Sequence, residues 1–221
     1  MTTLPPPPPA GRHPSGVSRR SFLQTLGVSA ATSALAGAAE ARLAEPGAEP
    51  AKDLIGPGPS RVVLKVNGKE MPVTIEPATT LLEALRQGLG LTGSKEVCDR
   101  GSCGGCSVII DGRLHVSCMM LAHDAVGADV QTVEGLANGD GAGGGGLHPI
   151  QAAFVKHDAL QCGYCTPGLV MACKSVLDAN PKPTLAQIKK GLAGNICRCG
   201  TYTNVFNACL EASGQAPIKD A

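Results

Sequence analysis

Eight cysteines in two groups of four constrain this chain more than any other feature. Cys98, Cys103, Cys106 and Cys118 stand in "CDRGSCGGCSVIIDGRLHVSC", while Cys162 and Cys165 stand in "LQCGYCTPG" and Cys197 and Cys199 in "NICRCGTY". Thiols gathered in this way become disulfides or metal ligands. The even total of ten cysteines suggests a disulfide-stapled secreted domain. A C-x-C disulfide is strained, however, so "ICRC" favours ligation.

The first group sits in a small α+β module. "RVVLKVNGKEMPVTI" alternates in two β-branched runs around Asn67-Gly68, the strongest short signal for a hairpin. "ATTLLEALRQGLG" predicts an amphipathic helix with Thr79 or Thr80 as its cap, Leu81, Leu82, Leu85 and Leu89 on one face, and Gly88 or Gly90 at its end. A second hairpin turns at Asp111-Gly112, and the whole predicts a sheet crossed by one helix, as in a β-grasp fold. Cys98 to Cys106 follow the C-x4-C-x2-C spacing by which plant-type ferredoxins hold a [2Fe–2S] cluster. Gly101, Gly104 and Gly105 let the loop wrap tightly with its amides aimed at sulfur. Cys118, at the end of the hairpin, returns beside that loop. Zinc sites pair their ligands in short units, which three thiols in one glycine-rich loop fit poorly.

The second module predicts four short helices. "HPIQAAFVKHDA" puts Ile150, Ala153, Phe154 and Ala159 on one face, with His148 as a helix-entry residue before Pro149. "TPGLVMACKSVLDANP" starts with Thr166 as a candidate cap and Pro167 in the first turn, and stops before Pro181. "TLAQIKKGLAGN" and "TNVFNACLEASG" supply two more. So thin a core needs a staple, and the second cysteine group can supply it. Taken alone, that group also fits a structural zinc site. Cys173 and Cys209 lie mid-helix among apolar neighbours as small core residues. His115, His123, His148 and His157 have no vacancy to fill among eight thiols. The "NGDGAGGGG" between the modules contains G-x-G-x-x-G, but no strand feeds it, and a flexible linker accounts for it better.

The remaining sequence gives the setting. With net charge +1, no Trp, three Phe and two Tyr, the chain offers neither a basic face nor an aromatic platform, and nucleic acid is not expected as a partner. "LPPPPPAGRHPSG" is a proline-rich lead-in. Arg19 and Arg20 in "SRRSFL", the mildly apolar run to about Ala39 and the small-residue stretch beyond it resemble a twin-arginine export signal. An uncleaved membrane anchor is the alternative, but the run is short of the roughly 18 strongly apolar residues a span needs and is rich in small ones, so no stable membrane span is expected. The expected organisation is a lead-in, signal and linker over 1–58, a ferredoxin-like domain over 59–136, a glycine-rich linker over 137–147 and a helical domain over 148–215.

In order, "CDRGSCGGCSV", "HPIQAAFVKHDALQCGYCTPG" and "GNICRCGTY" resemble the two-cluster iron–sulfur subunit of the molybdenum hydroxylases, the xanthine oxidase and aldehyde oxidase family, from Arg61 to about Ala212. With the leader, the resemblance is to the periplasmic aldehyde oxidoreductase type, and two-subunit isoquinoline-type relatives are the nearest rival. The resemblance implies an α+β fold with a β-grasp ferredoxin domain followed by an all-α four-helix [2Fe–2S]-binding domain. It implies that Cys162, Cys165, Cys197 and Cys199 hold the cluster nearest a molybdenum pterin cofactor on a large partner subunit. Cys98, Cys103, Cys106 and Cys118 would hold the more distant cluster, and Gln161 would lie against the pterin. Electrons would pass to an FAD-binding partner subunit, in aldehyde oxidation, from a periplasmic protein exported already folded. The chain itself would carry no catalytic residue for substrate. Val97 stands where the family has glycine, and "CRCGTY" replaces the commoner "CRCTGY". A free-standing two-cluster carrier is the other reading; it would need a charged docking face.

Overall fold

The computed structural model describes residues 56–137 and 146–218. The expected lead-in, signal and linker over 1–58, apart from residues 56–58, and most of the expected glycine-rich linker over 137–147 lie outside them. Both cysteine-bearing modules belong to one compact unit that begins at Ile55.

The two predicted hairpins form as expected. Strands β1 (Ser60–Val66) and β2 (Lys69–Ile75) pair antiparallel, Val66 opposite Lys69. Asn67 and Gly68 turn the chain at φ of 52° and 73°, the left-handed values that such a two-residue turn demands. β3 (Ser107–Ile110) and β4 (Arg113–Val116) pair in the same way around Asp111 and Gly112. A fifth strand, β5 (Asp129–Gln131), joins the hairpins, parallel to β1 and antiparallel to β3, so the sheet runs β2-β1-β5-β3-β4. Sequence reading does not anticipate it, because three residues are too few to show alternation.

The predicted helix differs in form. Thr80 caps it, accepting a hydrogen bond from the Glu83 N–H at 3.2 Å, while Thr79 Oγ1 instead accepts from the Glu76 N–H. Only one short α-turn follows, α1 (Leu81–Glu83), before the chain widens into a π-turn over Ala84–Gly88. A side chain at Gly88 would sit 2.5 Å from Val73 Cγ2, so the wide turn rests directly on β2. Leu81, Leu85, Leu64, Val66, Val108 and Ile110 fill the core beneath it.

After a single short turn, α2 (Val133–Leu136), the second module adds α3 (Pro149–Lys156), α4 (Thr166–Ala179), α5 (Leu185–Gly191) and α6 (Tyr202–Ala212). His148 does open α3: its Nδ1 accepts from the Ile150 N–H, and its own N–H donates to Gln151 Oε1. Thr166 does not cap α4; that position belongs to Cys165, and the Thr166 hydroxyl is buried without a hydrogen-bond partner.

The core of this module is less thin than expected because it borrows from the first. Ile109 of β3 and Leu136 are buried in it with Phe154, Leu169, Met171, Ile188 and Val205. Every residue of β3 is buried: Val108 and Ile110 face the first core, Ile109 the second. Strand β3 is therefore the wall shared by both modules. Among the described residues, no helix is long and apolar enough to cross a membrane.

Candidate metal centres

The first thiol group is assembled by the loop before β3 and the end of the second hairpin. Asp99, at φ 49°, with Gly101 and Gly104, at φ 70° and 69°, bends the loop back on itself. Backbone amides point at sulfur in two places. The Gly101 N–H donates to Cys118 Sγ at 3.3 Å, and the Gly105 N–H donates to Cys103 Sγ at 3.5 Å. Cys118 thus does return beside the loop, as its place in the hairpin predicts. Cys106 and Cys118 are buried and pack against Leu82, whereas Cys98 and Cys103 are partly exposed. The Arg100 side chain folds back to donate to the Cys98 carbonyl at 3.0 Å, and Lys95 Nζ to the Thr92 carbonyl, so both serve the loop's own shape.

These surroundings split the thiols. A hydrogen bond from the Arg100 backbone, with one from the Cys103 side chain, brings Cys98 down to about 7. Burial pushes Cys118 up to about 11, and the neighbouring Cys106 adds to the rise. A buried thiol that resists ionisation, beside an amide that would welcome its thiolate, suits a bound cation that takes the place of the proton.

The second group forms where the start of α4 meets the loop before α6. The Cys197 N–H donates to the Tyr202 hydroxyl at 2.8 Å, and Cys197 Sγ lies 3.2 Å from Thr201 Oγ1. Burial would raise Cys197, but hydrogen bonds from the Thr201 side chain and backbone outweigh it and bring the thiol down to about 7. Cys165 is pushed up to about 12, first by burial and then by Cys197 and Cys162. Cys162 and Cys199 are exposed, as is Gln161. Tyr164 and Ile196 are also more than half exposed on this module.

Among the described residues, no three His, Cys, Asp or Glu side chains converge tightly on one ion position. A two-iron cluster does not require that, because it spreads four thiolates over two metal atoms. All-sulfur donor sets with amides aimed at sulfur fit such a cluster.

Sequence reading treats the two sites separately, yet they touch. The Ile196 N–H donates to the Cys103 carbonyl at 2.9 Å. Asn195, 5% exposed, donates through Nδ2 to the Gly104 carbonyl at 2.9 Å and to Ser107 Oγ at 3.3 Å. A side chain at Gly168, in the first turn of α4, would lie 2.2 Å from the Gly104 oxygen. Asn195, Gly168, Thr201 and Tyr202 are the site residues that sequence reading misses. Cys173 and Cys209 are fully buried, as expected of core residues.

Two family models cover the described modules. The 2Fe-2S iron-sulfur cluster binding domain matches residues 64–134, and the [2Fe-2S] binding domain matches residues 132–210. The chain is 36% identical over 218 residues to the aldehyde oxidoreductase iron-sulfur-binding subunit PaoA of Escherichia coli (strain K12), covering 92% of this chain and 91% of that one. It is 40% identical over 167 residues to the nicotine 6-hydroxylase small subunit of Paenarthrobacter nicotinovorans, covering 74% and 98%. Among solved structures, quinoline 2-oxidoreductase from Pseudomonas putida 86 matches with a TM-score of 0.64 at 37% identity, over 72% of this chain and 99% of that chain. Aldehyde oxidoreductase from Desulfovibrio gigas also matches at 0.64 and 36%, over 70% of this chain but 17% of that one. This chain therefore belongs to the iron–sulfur subunits of the molybdenum hydroxylases, the xanthine oxidase and aldehyde oxidase family.

Proposed function

We propose that this chain is the electron relay of an exported aldehyde-oxidising molybdenum hydroxylase. Cys162, Cys165, Cys197 and Cys199 hold the cluster nearest the molybdenum cofactor of a large partner subunit, and Cys98, Cys103, Cys106 and Cys118 hold the distant one. When bound, the two clusters supply one-electron carriers between a two-electron oxidation elsewhere and the next acceptor. The chain's own residues fix the sulfurs and bury Cys106, Cys118 and Cys197. They also offer the Gly101 and Gly105 amides to the negative charge that reduction adds.

The observation that carries this reading is the 2.9 Å hydrogen bond from Ile196 to Cys103, which joins the two thiol groups by a short bonded route. The exposure of Gln161, Cys162, Tyr164, Ile196 and Cys199 supports placing the second group, with Gln161 toward the pterin, against the large subunit. The "SRRSFL" leader supports export by the twin-arginine route to the periplasm, since that route accepts cargo whose metal is already installed.

The test is to tag the chain in its own cells, recover it from the periplasmic fraction and measure iron, molybdenum and flavin per chain. Two [2Fe–2S] signals after reduction with molybdenum and flavin would support a three-part enzyme. Molybdenum without flavin would favour the two-part type that passes electrons to an external carrier. A colourless protein without molybdenum would refute the proposal.

A further inference from the structure

We infer that Asn195, carried by the second module, is a positioning residue for the first iron–sulfur site: by holding the Gly104 carbonyl it aims the Gly105 N–H at Cys103 and so sets the potential of the cluster held there. The inference rests on the reading above that both thiol groups hold clusters.

Gly104 lies between two of the proposed ligands, Cys103 and Cys106. Its carbonyl accepts three hydrogen bonds, from Asn195 Nδ2 at 2.9 Å, from Ser107 Oγ at 2.8 Å and from the Ser107 N–H at 3.2 Å. Asn195 Nδ2 also lies 3.3 Å from Ser107 Oγ, so the three groups form one closed cluster around the Gly104 carbonyl. The fit leaves no slack. A side chain at Gly104 would meet Asn195 Nδ2 at 2.5 Å and the Gly194 oxygen at 2.6 Å, and one at Gly168 would meet the Gly104 oxygen at 2.2 Å.

The Gly104 carbonyl and the Gly105 N–H belong to one planar trans peptide, in which C=O and N–H point in opposite directions. Drawing the carbonyl toward Asn195 therefore turns the N–H the other way, and there it donates to Cys103 Sγ at 3.5 Å. An N–H aimed at a ligand sulfur stabilises the reduced, more negative cluster and raises its potential. A side chain 91 positions further along the chain thus controls a hydrogen bond to the first site.

The test uses the whole complex recovered from its own cells, unaltered and with Asn195→Ala. Iron per chain is counted, and both clusters are titrated by low-temperature electron paramagnetic resonance. The expected result is full iron, a lowered midpoint potential and an altered spectrum for the first cluster, and an unmoved second cluster. Ser107→Ala withdraws another donor from the same carbonyl and is expected to shift the first cluster in the same direction. An unmoved first-cluster potential at full iron, or a shift confined to the second cluster, overturns the inference. If Asn195→Ala does not retain its iron, Ser107→Ala decides by the same criterion. Absence of two clusters from the unaltered complex would instead sink the functional reading on which the inference rests.

Discussion

The Ile196 N–H donates to the Cys103 carbonyl at 2.9 Å, linking the residue before one thiol to the backbone of another in the opposite group. Ile196→Pro removes that donor and no sulfur. The Ile196 side chain is 53% exposed, so little core is lost; the stability cost should be at least that of one hydrogen bond, about 1 kcal/mol, because the proline ring also restricts Asn195. Both cluster signals should survive, while electron exchange between them slows. Rapid-mixing reduction followed at cluster absorbance reads this, and an unchanged rate would remove the hydrogen bond from the route.

Cys103→Ser and Cys162→Ser should each cost one cluster, so iron per chain falls by about half, and should hinder export. The two remaining thiols make the control. Cys173→Ala and Cys209→Ala should keep all the iron and lose about 1 kcal/mol of stability, since both side chains are fully buried core groups. Iron analysis and thermal unfolding separate the two classes. Normal export of a cluster-free variant would contradict the link between metal and export.

Gly168→Ala adds a methyl group where only 2.2 Å separates it from a backbone oxygen. Backbone cannot turn aside as a side chain can, so the cost should be about 1–3 kcal/mol, with the loop around Gly104 displaced. A lowered unfolding temperature together with an altered first-cluster spectrum is the expected result, although Gly168 lies in the second module.

His148 supplies the pH dependence. Burial, and then the charge of Lys174, hold its imidazole below the usual value of 6.5. The neutral ring is also the form that can accept the Ile150 N–H. With the folded value below the unfolded one, the unfolded chain binds the extra proton first. The contribution is therefore intact above about 6.5 and is lost as pH falls through the folded value. His148→Asn keeps a capping acceptor that does not titrate. Its apparent Tm should fall less than that of the natural chain between neutral and mildly acidic pH.

What could be read from the sequence was local. Asn67-Gly68 and Asp111-Gly112 announce their hairpins because the turn demands positive φ from two adjacent residues, and both pairs adopt it. The loop of Cys98, Cys103 and Cys106 could be read from spacing for the same reason: its thiols are adjacent in the chain. β5 could not, since its three residues gain their meaning from β1 and β3. Asn195 could not either. Its partner Gly104 is remote, and nothing nearby distinguishes it from a loop asparagine. The π-turn after Leu81–Glu83 was hidden because the apolar spacing of Leu81, Leu82 and Leu85 fits an ordinary helix equally well.

Strand β3 has one more consequence. Its Ile109 belongs to one core while Val108 and Ile110 belong to the other, so packing through this strand keeps the modules together. Along this strand the two halves are complementary fragments. Made as separate polypeptides, they have the surfaces to find each other again, each supplying what the other would leave exposed to water.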